Sequence, residues 1–234
     1  MKFFSHTVVL AAAALIGLGG VPGLQAQTDY SSRGATQFLT VGPAFAGGAS
    51  LHFAAREGTK LGPLFAYRIT AEAGYPLGGA IRAQLGFGWD SRGIKERSPD
   101  NTEVYTKSRV NYFAITPGFG LSAFYLGMNI GFPMGGSVTT KGGPDDEEDT
   151  QDMSDAAFDK VEVLLEPRIG ATVNLFEERS SWLALTIMGG ISLNELMDRG
   201  DLPNSGADGI GDYHLATMQL GLTYQFSIPG TAAR

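Results

Sequence analysis

The sequence predicts an all-β protein, an eight-stranded antiparallel up-and-down transmembrane β-barrel, and three observations predict it. Apolar and polar residues alternate with a period of two in one segment after another, charged residues fall on the polar face, and short links alternate with long ones. The last segment is the cleanest. Over residues 213–226, Met218, Leu220, Leu222, Tyr224 and Phe226 share one face, and Thr217, Gln219, Gly221, Thr223 and Gln225 share the other. Successive side chains of a strand point to opposite sides, so this pattern builds one oily and one wet surface.

Eight strands are expected near 38–53, 64–75, 80–90, 109–121, 124–134, 161–175, 182–194 and 213–226. Each approaches or exceeds the roughly 9–11 residues that cross a bilayer when tilted. The first is interrupted by Pro43 and by Gly47 and Gly48, which weaken a regular strand. The second carries Arg68 and Glu72 among small residues. In the third, Ile81, Ala83, Leu85, Phe87 and Trp89 oppose Arg82, Gln84, Gly86, Gly88 and Asp90. The fourth is ambiguous, because Tyr112 and Phe113 fall on opposite faces. In the fifth, Phe124, Leu126, Met128, Ile130 and Phe132 oppose Tyr125, Gly127, Asn129 and Gly131. The sixth sets Val163, Leu165, Ile169, Ala171 and Val173 against Glu166, Arg168, Gly170, Thr172 and Asn174.

The links at 76–79, at 122 and at 176–181 are tight, whereas 91–108, 135–160 and 195–212 are long and polar. An outer-membrane barrel shows this alternation, with tight periplasmic turns and larger loops outside. An even strand count then places both ends of the barrel domain in the periplasm. The competing fold is a soluble lipocalin-like barrel, which hides its apolar face. Mixed charge among Gly, Thr and Asn suits a narrow, hydrogen-bonded interior better than a wet exterior. Aromatics also cluster near strand ends, with Tyr75, Phe176, Trp182, Tyr224 and Phe226 at the inner edge and Trp89 and Phe132 at the outer. Two interfacial girdles produce that distribution.

Three domains of behaviour are expected: a cleaved signal peptide at 1–26, the barrel at 27–226 and a short tail at 227–234. Lys2, the apolar run 8–19 and the segment ending at Ala26 fit an export signal, the run being too short for a membrane-spanning helix. The chain has no cysteine, which excludes a lipidated cysteine, a disulfide and a thiolate metal site. A formal net charge of −7 argues against nucleic acid as a partner. The 33 glycines and 14 phenylalanines suit crowded strand faces and membrane interfaces better than helices.

The stretches AIRAQLGFGWDSRG at 80–93, VNYFAITP at 110–117, FYLGMNIG at 124–131 and LGLTYQF at 220–226 resemble the PorT-like outer-membrane β-barrel family. The resemblance lies in pattern and order over nearly the whole mature chain. It implies a barrel delivered by the export and barrel-assembly machinery, with Tyr224 and Phe226 similar to the C-terminal signal that machinery reads. Residues 227–234 depart from the usual pattern by leaving that signal internal. Some members are linked to a protein-secretion apparatus, and most have no assigned activity.

Arg68, Glu72, Arg82, Glu166 and Arg168 form the sharpest constellation. They are expected to meet across the lumen as a packed polar plug, the alternative being an ion or proton path. Asp145, Asp146, Glu147, Glu148 and Asp149, with Asp152 and Asp155 beyond, crowd the longest outer loop without a compensating base. Their spacing does not match a calcium loop, so a solvated acidic loop is expected instead of a cation site. Asp198, Asp201, Asp208 and Asp212 invite the same reading, and the tripeptide Arg199-Gly200-Asp201 is too short to imply adhesion.

Beyond the leader only His52 and His214 are histidines. His214 with Asp212 near the rim lacks a motif that would supply a nucleophile. No enzyme, cofactor or metal site is expected. The expectation is an integral outer-membrane protein of a Gram-negative bacterium with a structural or interaction role in the envelope. Membrane lipid, the assembly machinery and envelope proteins are its expected partners. A small-solute pore and a loop-borne adhesin or binder are the alternatives.

Overall fold

The computed structural model describes residues 39–52, 59–78, 81–143, 145–153, 161–177, 181–194 and 214–228. The expected leader, Asp155, the acidic residues Asp198, Asp201, Asp208 and Asp212, and the tail beyond Ile228 lie outside the described residues. Ten strands occur among them: β1 Thr40–His52, β2 Lys60–Gly62, β3 Leu64–Gly78, β4 Ile81–Arg97, β5 Tyr105–Leu121, β6 Phe124–Lys141, β7 Asp149–Asp152, β8 Leu164–Glu177, β9 Ser181–Ile191 and β10 Leu215–Ser227. All but β2 and β7 form a closed antiparallel ring in chain order, β1 pairing with β10 to complete it. The short β2 adds to β4 and β7 adds to β6. The fold is an eight-stranded up-and-down barrel.

The closing seam runs from Thr40 opposite Ser227 to His52 opposite Leu215. Gly48, expected to weaken the first strand, permits this closure together with Gly42. A Cβ at Gly42 would strike the Tyr224 carbonyl oxygen, and one at Gly48 the Met218 carbonyl oxygen. At the tight-turn end, Ser122 and Ala123 alone join β5 to β6, and Ser122 sits at φ 57°, the left-handed region that a two-residue hairpin demands.

The long-loop end differs from expectation. The link expected at 91–108 is mostly strand, because β4 continues to Arg97 and β5 begins at Tyr105. Only the turn between them remains, closed by Ser98 N to Val104 O at 3.0 Å. Likewise β6 runs to Lys141, and β7 folds back onto Ser137–Thr140 within the link expected at 135–160. The physical reason is that the polarity sorting reverses there. Val110, Ile94 and Val138 turn inward while Lys95, Lys107 and Arg109 turn outward, so charge on the outer face looked like loop.

Within the barrel the sorting is as expected. Phe65, Phe87, Phe119, Met218, Leu220 and Leu222 are exposed on the outside, while Arg92, Asp90, Glu166 and Arg168 are buried inside. That inverts the usual arrangement of a water-soluble fold. Tyr112 resolves to the lumen and Phe113 to the exterior. Trp89, Phe113 and Phe132 lie side by side across β4, β5 and β6 as an outer aromatic row. Tyr75, Phe176, Tyr224 and Phe226 are exposed near the tight-turn end. Trp182 corrects the expected girdle. It shares the inward face with Ala184, Thr186 and Met188, and its ring lies 5.3 Å from the Arg82 guanidinium. Both faces of the Trp182–Leu185 stretch are apolar, so alternation gave no direction there. Toward the long-loop end the interior turns apolar, with Val110, Tyr112, Met153, Val161, Leu164 and Leu215 packed together.

Candidate functional site

The lumen holds its charges in tiers. Nearest the tight turns, the Arg82 guanidinium donates to the Thr40 hydroxyl, to the Gly74 carbonyl at 3.3 Å and to Gln225 Oε1 at 3.1 Å. No carboxylate among the described residues lies within ion-pair distance of it, so the Trp182 face and these oxygens hold the cation. Above it, Arg68 Nη2 meets Glu72 Oε1 at 3.1 Å, and the Thr70 hydroxyl donates to the same oxygen at 3.4 Å. Both charges stand on β3, one strand, four residues apart.

The third tier is a buried quartet. Arg92 forks onto Asp90 through Nε–Oδ1 at 2.9 Å and Nη2–Oδ2 at 2.7 Å, and reaches Glu166 Oε1 at 2.6 Å. Arg168 binds Glu166 Oε2 at 2.7 Å and returns to Asp90 Oδ2 at 3.0 Å, which closes the ring. Asn129 donates to Asp90 at 3.0 Å, and the Thr217 hydroxyl donates to Glu166. Two cations and two anions cancel. Buried charges are tolerated when paired and fully hydrogen-bonded, and this geometry meets both conditions. Gly190 provides the room, because a Cβ there would press on the Glu166 carboxylate.

The five residues picked from the sequence therefore divide. Glu166 and Arg168 do not meet Arg68, Glu72 or Arg82 across the barrel, as expected, but Asp90 and Arg92 of β4. Asp90 had been placed on the wet face at the end of its strand, and Arg92 lay one turn of the pleat beyond that end. A signal was present. Asp90-Ser91-Arg92 and Glu166-Pro167-Arg168 repeat an acid–x–Arg spacing, which puts acid and base on one face of a strand.

Between the second tier and Trp182 lies a cavity lined by Arg68, Glu72, Tyr125, Thr186 and Gln225, with about 40 Å³ open to water centres. One water needs about 10–15 Å³ on that measure, so this cavity has room for a few waters. The quartet and the apolar cluster fill the lumen above.

The acidic segment is less isolated than expected. Asp145, Asp146 and Glu147 are exposed, and Asp149 begins β7. Glu148 has a compensating base: Lys107 Nζ lies 3.1 Å from both of its carboxylate oxygens, and the Tyr105 hydroxyl donates to it. The Tyr105 bond, and then Lys107, hold the Glu148 carboxyl below its usual range. A depressed carboxylate contributes to the folded state above its ordinary range and loses that contribution as pH falls through the lowered value. Carboxyl NMR should accordingly show Glu148 titrating below the ordinary glutamate range, and Lys107→Gln should raise its midpoint toward that range. An unchanged midpoint would refute the tether. Among the described residues no group of three or more His, Asp or Glu is placed to hold a metal.

His214 turns its Nδ1–H to the Ser192 carbonyl at 3.1 Å, and Asp212 lies outside the described residues. Tyr224 and Phe226 stand outward with ring centroids 6.0 Å apart, one residue short of the end of β10.

Fold and site together define a closed β-barrel with an apolar exterior and an ion-paired, filled interior. No family model matches the chain, and no curated protein does. Among solved structures it is similar to Ail, the attachment invasion locus protein of Yersinia pestis, in complex with the heparin analogue sucrose octasulfate, at 11% identity and a TM-score of 0.35 over 81% of this chain and 99% of that one. It is similar to neisserial surface protein A at 8% identity and a TM-score of 0.37, over 82% and 98% of the two chains. For the outer membrane protein OprG of Pseudomonas aeruginosa the values are 10%, 0.32, 82% and 99%. Overlaps this low carry no argument about role, and the fold stands on the hydrogen-bonded ring itself.

Proposed function

We propose that this chain is an integral outer-membrane β-barrel of a Gram-negative envelope, with a structural or interaction role and no catalysis. One observation carries the reading: large apolar side chains stand exposed around the barrel while Arg68, Asp90, Arg92, Glu166 and Arg168 are buried within. In water that arrangement would be unstable, and in lipid it is the low-energy one. Closure of the ring supports the same reading, because backbone groups left unpaired in hydrocarbon would each cost several kcal/mol. The PorT-like resemblance of 80–93, 110–117, 124–131 and 220–226 is compatible with it, and in this reading an assembly factor would read the exposed Tyr224 and Phe226.

The buried quartet favours a plug over a pore, since ions passing it would have to part four charge-assisted contacts. Reconstituted in planar bilayers, the protein should show no sustained conductance steps; steady conductance would replace this reading with a solute pore. Crosslinking in intact envelopes should capture defined protein neighbours. Loss of those neighbours on removing residues 142–149, with the barrel still folded, would assign the interaction to the acidic segment.

A further inference from the structure

Six of the 17 lysines and arginines stand together at the long-loop end of β2, β4, β5 and β6. Register aligns Lys60, Arg97, Tyr105 and Lys141 in one row and Lys95 with Lys107 in the next. Arg109 lies in the row below. These side chains face outward, because Ile94 and Val110, their neighbours in the chain, pack into the interior cluster. Lys95 and Lys107 flank the Tyr105 ring at 3.8 and 4.6 Å. Arg109 spans Ser91 Oγ at 2.9 Å and the Phe65 carbonyl at 3.0 Å, above the Tyr67 ring. Among the described residues, the acids nearby include Glu148, bonded to Lys107, Glu96 between Lys95 and Arg97, and Asp149 and Asp152 of β7, opposite Thr140 and Ser137 of β6. Lys95, Arg97 and Lys107 thus crowd one another on two adjacent strands.

We propose that this face binds phosphate groups carried on the saccharide headgroups of outer-leaflet glycolipids. The proposal rests on the membrane reading above. Two features select a lipid over a soluble anion: the outward faces of β4 and β5 continue directly from the lipid-facing band, and the row Trp89–Phe113–Phe132 closes that band just below. Height selects the headgroup. Strand residues rise about 3.3 Å each and barrel strands tilt about 40°, so Arg109 and Lys95 sit roughly 10 and 15 Å beyond the aromatic row. The phosphate of a glycerophospholipid lies nearer the aromatics than that, whereas a sugar headgroup reaches this level. Clustered basic residues beside a membrane recognise such anions, and salt screens them.

The test uses the folded full-length barrel in neutral phosphatidylcholine vesicles, to which lipopolysaccharide with a phosphorylated core, or the same lipid after dephosphorylation, is added. The protein should insert without either lipid, bind the phosphorylated form about tenfold more tightly or better, and weaken in raised salt. Lys95→Gln combined with Arg97→Gln should erase most of that preference while insertion continues, and Lys95→Arg should retain it. Equal binding of the two lipids would overturn the proposal while leaving the membrane reading intact. So would phosphatidylglycerol binding as tightly as the phosphorylated glycolipid. Failure to insert into neutral vesicles would overturn both.

Discussion

Glu166→Gln should lower the unfolding free energy of the barrel by about 3–5 kcal/mol, the range for removing one member of a buried ion pair. The substitution keeps volume and shape, so the loss reports charge. It leaves Arg92 and Arg168 facing Asp90 alone, with a net positive charge in a site where all four partners are inaccessible to solvent. Urea titration of the folded protein, followed by the gel shift between folded and unfolded barrels, measures the effect. Adding Arg168→Gln restores neutrality around Asp90 and Arg92, and the double variant should recover at least half of the loss, since contacting residues couple strongly. A cost under 1 kcal/mol for Glu166→Gln, or no recovery in the double variant, would show that the quartet does not hold the lumen together. Glu72→Gln should cost less, because the Glu72 side chain retains 18% exposure and the cavity that Arg68 and Glu72 both line has room for water.

Leu220→Arg should cost about 2–4 kcal/mol in a lipid bilayer, the range for arginine at the midplane of a barrel's lipid-facing surface. Leu220 is 53% exposed, lies near the middle of β10 and pairs with Gly47 and Ile187. The control is Ser137→Arg, on the outward face of β6 beyond Phe132, where the cost should be near zero to 1 kcal/mol. Equal costs at the two sites would remove the membrane from the account of this fold. Gln219 makes a poor control although it adjoins Leu220. It faces the lumen at 2% exposure, so an arginine there would be buried without a partner.

Much of the barrel was legible because alternation is a local property. From Met218 to Phe226 every second side chain is large and apolar, and a strand has only two sides to which such residues can go. The same reasoning failed in three places, each for a physical reason. On β4 and β5 the outward residues change from apolar to cationic, and a solvated strand looks like a loop when period and polarity are read together. At Trp182 both faces are apolar, and only the Arg82 cation across the lumen gives the ring a direction. Among the lumen charges, residue type was visible but partner choice was not. Glu166 is closer to Arg92 than to any charge on β3 because β4 and β8 project into the same tier, a fact of stagger around the ring.

The amino-acid order alone determined that this chain makes strands, how many close the barrel, and which flank of most of them is oily, since each follows from a period of two and the placement of turns. Tertiary structure alone decided which charges neutralise one another, that the lumen is filled, and that cations gather on one outward face at the rim. Those outcomes depend on strand stagger and tilt, which bring together residues dozens of positions apart, and no local pattern encodes that distance.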